Sequence, residues 1–73
     1  MYGVEYLDES YIEQCEKMFR IIYREFKFRV IGASMDRMHV IIECEFPDGT
    51  YYFRVDENSV SPSYNTKEDA DRG

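Results

Sequence analysis

The sequence predicts a small α+β domain, one N-terminal helix packed on one face of a three-stranded antiparallel sheet in the order α-β-β-β. Three observations carry this. Apolar residues recur at three and four over positions 8–26. Alternation at period two follows, broken at Pro47-Asp48-Gly49 and then resumed. At 73 residues the chain is one domain at most.

Tyr2, Val4 and Tyr6 stand at period two. They suit either a short leading strand or a lead-in whose aromatics cover the helix. Asp8 to Phe26 reads as the helix. Ser10 and Glu13 match a capping box, with Asp8 a rival cap. Ile12, Cys15, Phe19, Ile22 and Phe26 form the expected core stripe, widened by Tyr11 and Met18. No Gly or Pro interrupts the chain from there until Gly32.

Residues 27–35, "KFRVIGASM", are rich in strand formers but ambiguous in phase. Phe28 and Val30 face inward in one register, Ile31, Ala33 and Met35 in the other, because a slip of one residue flips every side chain. The larger pair favours the first. Met38 to Phe46 is the clearest strand, with Met38, Val40, Ile42, Cys44 and Phe46 on the inner face and His39, Ile41, Glu43 and Glu45 on the outer. Pro47-Asp48-Gly49 turns the chain, since Pro presets φ and Gly tolerates φ > 0. Pairing Phe46 with Tyr51 sets Cys44 against Phe53, Ile42 against Val55, Glu45 against Tyr52 and Glu43 against Arg54. The domain is expected over 1–57. From Asn58 the composition turns polar, and 58–73 reads as a flexible tail in which Val60 and Tyr64 alone could dock. With nothing left to cover it, the outer sheet face is expected to meet water, a second copy or a partner.

Fifteen acidic residues against nine basic give a net charge of −6. That disfavours direct binding to nucleic acid or to an anionic membrane, and it suits a basic partner. No basic-then-apolar leader opens the chain, and no run approaches the ~18 apolar residues of a membrane span. The expected location is the cytoplasm, host cytoplasm for a viral protein, with Cys15 and Cys44 reduced. Both cysteines fall on inward faces. A helix-to-sheet disulfide or redox pair is the sharper reading, and two small core residues the favoured one. His39 beside strand carboxylates allows an acid/base pair, but a surface histidine is the more economical reading. No phosphate loop, nucleophile elbow or metal spacing is present, so no enzyme, cofactor or metal is expected. The helix-then-three-strands order loosely resembles a double-stranded-RNA-binding domain. That family ends in a lysine-bearing helix where this chain reads "NTKEDADRG", which removes the part that would hold phosphate.

Charge is segregated along the chain. Residues 1–16 carry Glu5, Asp8, Glu9, Glu13 and Glu16 with no base. Residues 17–37 carry Lys17, Arg20, Arg24, Lys27, Arg29 and Arg37 against Glu25 and Asp36, and residues 38–73 carry eight acids against Arg54, Lys67 and Arg72. On the helix this sign change complements the macrodipole, and Glu13–Lys17 and Glu16–Arg20 have the spacing of i,i+4 pairs. The sheet acids have no such structural reason. Glu43 and Glu45 stand ~7 Å apart along one strand, followed by Asp56 and Glu57, with Asp48 at the turn. A regular row of carboxylates imitates a row of phosphates, and a basic groove that attracts DNA attracts it too.

In length, acidity and these residues the chain resembles small phage-encoded host-takeover proteins that mimic DNA, some of which block the histone-like nucleoid protein HU. The resemblance implies an acidic inhibitor that occupies the DNA-binding surface of a basic, nucleoid-type host protein. Glu43, Glu45, Asp56, Glu57 and Asp48 would make the contact, with Glu9, Glu13 and Glu16 extending it. The alternative is a homodimeric interaction or regulatory module without DNA mimicry, paired through Ile41, Tyr52 and Ile31 on the open sheet face.

Overall fold

The computed structural model describes residues 8–34, Asp36 and residues 38–73. The proposed leading strand, Met35 and Arg37 lie outside the described residues. The described elements are α1 (Glu9–Tyr23), β1 (Phe28–Ala33), β2 (Val40–Phe46), β3 (Gly49–Val55) and α2 (Lys67–Arg72). The strands form one antiparallel sheet in the order β1-β2-β3. The α-β-β-β core is thus as the sequence predicts, with a short C-terminal helix added.

Helix α1 differs from expectation at both ends. Asp8 is its N-cap residue, and the Ile12 amide makes the first helical bond to the Asp8 carbonyl, so the Ser10–Glu13 capping box does not form. The helix stops at Tyr23 rather than Phe26. Fifteen residues at 1.5 Å and seven strand residues at 3.3 Å both span ~23 Å, so α1 ends where the sheet ends. Phe26 leaves the helix and packs against Phe46, ring centroids 4.7 Å apart and planes inclined at 48°. The core-facing line runs through Ile12, Cys15, Phe19 and Tyr23. Ile22, expected inside, is 56% exposed, and Tyr23 takes its place.

Phe19 is the hub of the core. Its ring lies 4.7 Å from Tyr23, 4.8 Å from Phe28 and 4.9 Å from Phe53, each within the range where aromatic pairs attract. Val40, Ile42, Cys44, Phe53 and Val55 complete the buried cluster beneath α1. Met38 does not join them. It precedes β2 and is 67% exposed.

Strand β1 reconciles the two registers that the sequence left open. Phe28 pairs with Cys44 and Val30 with Ile42, so both point toward the core. A bulge at Ile31 then shifts the ladder, and Ala33 pairs with Val40. One extra residue therefore keeps Phe28 and Val30 on the inner face before the bulge and Ala33 there after it.

The hairpin turns more tightly than predicted. Phe46 pairs with Gly49, leaving Pro47 and Asp48 as a two-residue loop, and Gly49 takes φ 148°. The pairs become Cys44–Tyr51, Ile42–Phe53 and Val40–Val55, two residues from the expected register. A two-residue slip preserves faces, so the inner set is unchanged. The outer partners do change: Glu43 meets Tyr52, Glu45 meets Thr50, and Arg54 meets Ile41.

Residues 58–73 are not a free tail. Val60 bridges Val55 and Tyr64 bridges Tyr52 along the outer edge of β3. The Tyr52 and Tyr64 amides exchange 2.8 Å bonds with each other's carbonyls, and the Ser61 amide donates to the Arg54 carbonyl at 3.0 Å. This capping satisfies an edge that would otherwise be open to another chain. The segment then enters α2. Thr66 Oγ1 accepts from the Asp69 amide at 3.1 Å as N-cap, and Gly73, at φ 71°, returns its amide to the Asp69 carbonyl.

Helix α2 packs on β2 and β3, on the face away from α1. Ala70 and Ile41 are both fully buried. The outer face expected to stand open is therefore covered around Ile41, while Glu45 and Thr50 on the same face stay exposed. The closing helix also lies on the opposite side of the sheet from α1, with Glu68 and Asp69 in its first turn.

Candidate functional site

The expected acidic row is divided by the fold. Glu43 is held on the sheet: Arg29 Nε donates to it at 3.0 Å and the Tyr52 hydroxyl at 3.2 Å. Burial, and then the charge of Glu43 and this bond, push the Tyr52 phenol above its ordinary value. Glu45 is exposed opposite Thr50. Asp48 is exposed at the turn and accepts from the Tyr51 hydroxyl at 3.0 Å.

Asp56 shapes a turn. Its Oδ1 accepts from the Asn58 and Ser59 amides, both at 2.7 Å, and from the Ser59 hydroxyl at 3.1 Å. These bonds hold its carboxyl below the ordinary value although burial works the other way. Its second oxygen lies 3.6 Å from His39 Nε2. The other ring nitrogen, Nδ1, lies 3.2 Å from Asp36 Oδ2. His39 is thus half-buried between two carboxylates rather than free on a strand face.

Asp36 is the centre of this network. It accepts from the buried Ser34 hydroxyl, from the Met38 amide at 2.9 Å and from the Arg54 guanidinium. Burial works to raise its carboxyl, but these bonds, with His39 and the Arg54 charge, outweigh that and hold it at about 2. Arg54 also donates to the Ala70 and Asp71 carbonyls near the C-terminus of α2. One guanidinium therefore ties the β1–β2 loop to β3 and α2. The spacing along the strands hides this role, because it pairs Arg54 with Glu43, whereas the two-residue loop sets Arg54 opposite Ile41. The signal for α2 was present in "TKED", the Thr-x-x-Asp spacing of a helix start.

The remaining acids gather by end. The Tyr11 hydroxyl donates to the Met38 carbonyl just before Val40, which pairs with Val55, so the N-terminal half of α1 lies over the C-terminal end of β3. At the other end Tyr23 and Phe26 meet Phe46 beside the hairpin turn. Glu9, Glu13 and Glu57 are exposed and Glu16 half-buried toward the first end, the end that also holds Asp36 and Asp56. Arg20, Arg24, Lys27 and Arg29 lie toward the second, where Arg29 pairs with Glu43 and the Glu45 amide donates to the Lys27 carbonyl. A shallow depression there is lined by Lys27, Phe28, Arg29, Glu43 and Glu45. The eight predicted carboxylates thus form two groups rather than one track.

Of the expected self-contact patch, Ile41 is withdrawn from the surface while Tyr52 and Ile31 keep part of theirs. Ile41 is fully buried, Tyr52 is half-buried between Glu43 and Tyr64, and Ile31 is the half-buried residue of the bulge. Among the described residues the large apolar ones that are exposed are Ile21 at 72%, Ile22 at 56% and Met38 at 67%.

Cys15 and Cys44 are free, buried thiols. Burial pushes Cys15 up to about 11, the charges of Asp56 and Glu57 adding to the effect and the Tyr11 hydroxyl opposing it. Burial and Glu45 raise Cys44. Both are therefore protonated at neutral pH, the unreactive form. Among the described residues no group of His, Cys, Asp and Glu is placed to hold a metal ion, and no helix is long and apolar enough to cross a membrane. No protein-family model matches the chain, and no curated protein or solved structure matches it either.

Proposed function

We propose that this chain is an acidic DNA-mimic binding protein that occupies the DNA-binding surface of a basic, nucleoid-type protein in the cytoplasm and inhibits it. The observation that carries the reading is the acidic end of the fold. Glu9, Glu13 and Glu57 are exposed there and form no ion pair with another described residue. Asp36 and Asp56 stand behind them with carboxyls held in the charged form. Buried or bonded carboxylates add to the local field, while the exposed ones are available for contact. The contact set therefore shifts from the strand row to Glu9, Glu13 and Glu57, with Glu45 and Asp48 as a separate group at the far end.

The test is competition. The purified chain is titrated into a complex of HU with a labelled duplex, followed by fluorescence anisotropy at several salt concentrations. The reading expects duplex release that weakens steeply with salt. It also expects the Glu9→Gln, Glu13→Gln, Glu57→Gln triple variant to lose most of that release. Release that ignores both salt and the triple variant refutes the acidic end. No binding to HU or to other basic DNA-binding proteins refutes the mimic.

A further inference from the structure

The solvent face of α1 carries an arrangement that partner binding does not explain. Glu9, Glu13, Glu16, Lys17, Arg20 and Arg24 lie within about 100° of one another around the helix axis. All are exposed except Glu16, which is half-buried. The stripe inverts its sign about one point. Glu16 and Lys17, Glu13 and Arg20, and Glu9 and Arg24 are each symmetric about the gap between positions 16 and 17. The macrodipole accounts for charge in the first and last turns only. The intrahelical pairs Glu13–Lys17 and Glu16–Arg20 do not form: the ion pairs among the described residues are Arg29–Glu43, His39–Asp36, His39–Asp56, Arg54–Asp36 and Arg72–Asp69. Arg20 instead lies over the Phe28 ring at 5.2 Å. Beside the stripe, Ile21 shares a shallow depression with Lys17, Arg20 and Arg24.

A charge stripe that is antisymmetric about its midpoint is self-complementary under a two-fold rotation. We infer that α1 is a self-association surface, on which the α1 of a second copy lies antiparallel. The axis passes between Glu16 and Lys17. Each Glu13 then faces the second copy's residue 20, each Glu9 its residue 24, and each Glu16 its residue 17, giving opposite charges at every position. A parallel pair in register would set like charges together at the same places, so the stripe selects one orientation. The second helix also covers the depression at Ile21. One helix per chain makes an interface at the small end of the range, below about 1,200 Å², so the dimer is weak and salt-sensitive. It draws on Glu9 and Glu13, so self-association and a basic partner compete for those carboxylates.

The test is sedimentation equilibrium on the full chain alone, at low and high salt, so its outcome does not depend on the proposed partner. The wild type is expected to dimerise with concentration and to dissociate as salt rises. Glu13→Arg or Arg20→Glu alone turns two attractive contacts into two repulsive ones and raises Kd at least about tenfold. The double reversal E13R/R20E restores opposite pairs and returns Kd to near the wild-type value. Both positions are exposed, and circular dichroism verifies that each variant is folded. A wild type that stays monomeric at millimolar concentration overturns the inference. So does a double reversal that associates no better than the single variants.

Discussion

Ile41 distinguishes a closed outer face from an open one. It is fully buried although it points away from α1 and the main aromatic core. Replacing a buried Ile by Ala costs about 2–5 kcal/mol, the spread reflecting how far the site can collapse. The layer under α2 is thin, with Ala70 as its buried helix residue, so a middle value of about 3 kcal/mol is expected. At ~0.05–0.15 kcal/mol per residue a chain of 73 residues has about 4–11 kcal/mol of stability in all. Ile41→Ala should therefore remove a large fraction of it and lower Tm by about 15 °C. Urea denaturation followed by far-ultraviolet circular dichroism, at concentrations where the chain is monomeric, measures this directly. A chain ending at Asn65 provides the second half of the argument. If α2 is what buries Ile41, the truncation and Ile41→Ala are coupled, and together cost at least about 1 kcal/mol less than their sum. A monomer loss under about 0.5 kcal/mol for Ile41→Ala, or strict additivity with the truncation, would refute closure of this face by α2.

Two further outcomes follow from the polar network and the hairpin. The Asp36 carboxyl falls from 3.8 to about 2 on folding, so its contribution is full above pH ~4 and is lost as pH falls through ~2. With its side chain 38% exposed, screening reduces that contribution to about 1 kcal/mol. Asp36→Asn should flatten the stability profile between pH ~4 and ~2 in acid titrations, and an unchanged profile would show that the network is not the acid-sensitive element. Gly49 holds φ 148° with open space around it, so Gly49→Ala strains the backbone without any clash. It should cost about 1–3 kcal/mol by thermal melt, and a neutral result would mean that the hairpin can turn in another way.

The inner half of the fold was legible because it rests on period. Phe19, Ile42, Cys44 and Phe53 follow directly from spacing at 3.6 and at 2. The misses share a different cause. Hairpin register depends on the number of residues in the loop, and a slip of two residues leaves the apolar faces identical, so hydrophobicity could not detect it. Ile22 and Tyr23 are both apolar enough for the core, and Tyr23 is chosen by its ring contacts with Phe19, Phe46 and Phe53, which no local pattern encodes. Helix α2 was lost to composition. Its six residues KEDADR carry five charges and one apolar side chain, and its place in the fold comes from Ala70 being small enough to let the helix approach β2 and β3. The Arg54 guanidinium reaches groups 17 and 18 residues away on either side in sequence, and its contacts to Ala70 and Asp71 follow only once that helix is in position.

The same reasoning alters what the net charge means. A count of −6 treats each carboxylate as equally available, but the fold uses some and releases others. Glu43 is matched by Arg29 and Tyr52, Asp56 by its own turn, Asp36 by Arg54, and Asp69 by Arg72. These carboxylates have partners, and an approaching base would have to displace them. Glu9, Glu13 and Glu57 have none among the described residues, and neither do Lys17 and Arg24. Unmatched charge of both signs thus lies on α1, and unmatched acid also at Glu57 past the end of β3 and at Glu45 on β2. An exposed charge loses little when it is approached by its opposite, because its hydration is exchanged for contact without breaking an internal bond. Association is therefore expected where the fold leaves charge unmatched, which is along α1, beside Glu57 and, at the far end, at Glu45. The strand row suggested by alternation alone is largely internal bonding.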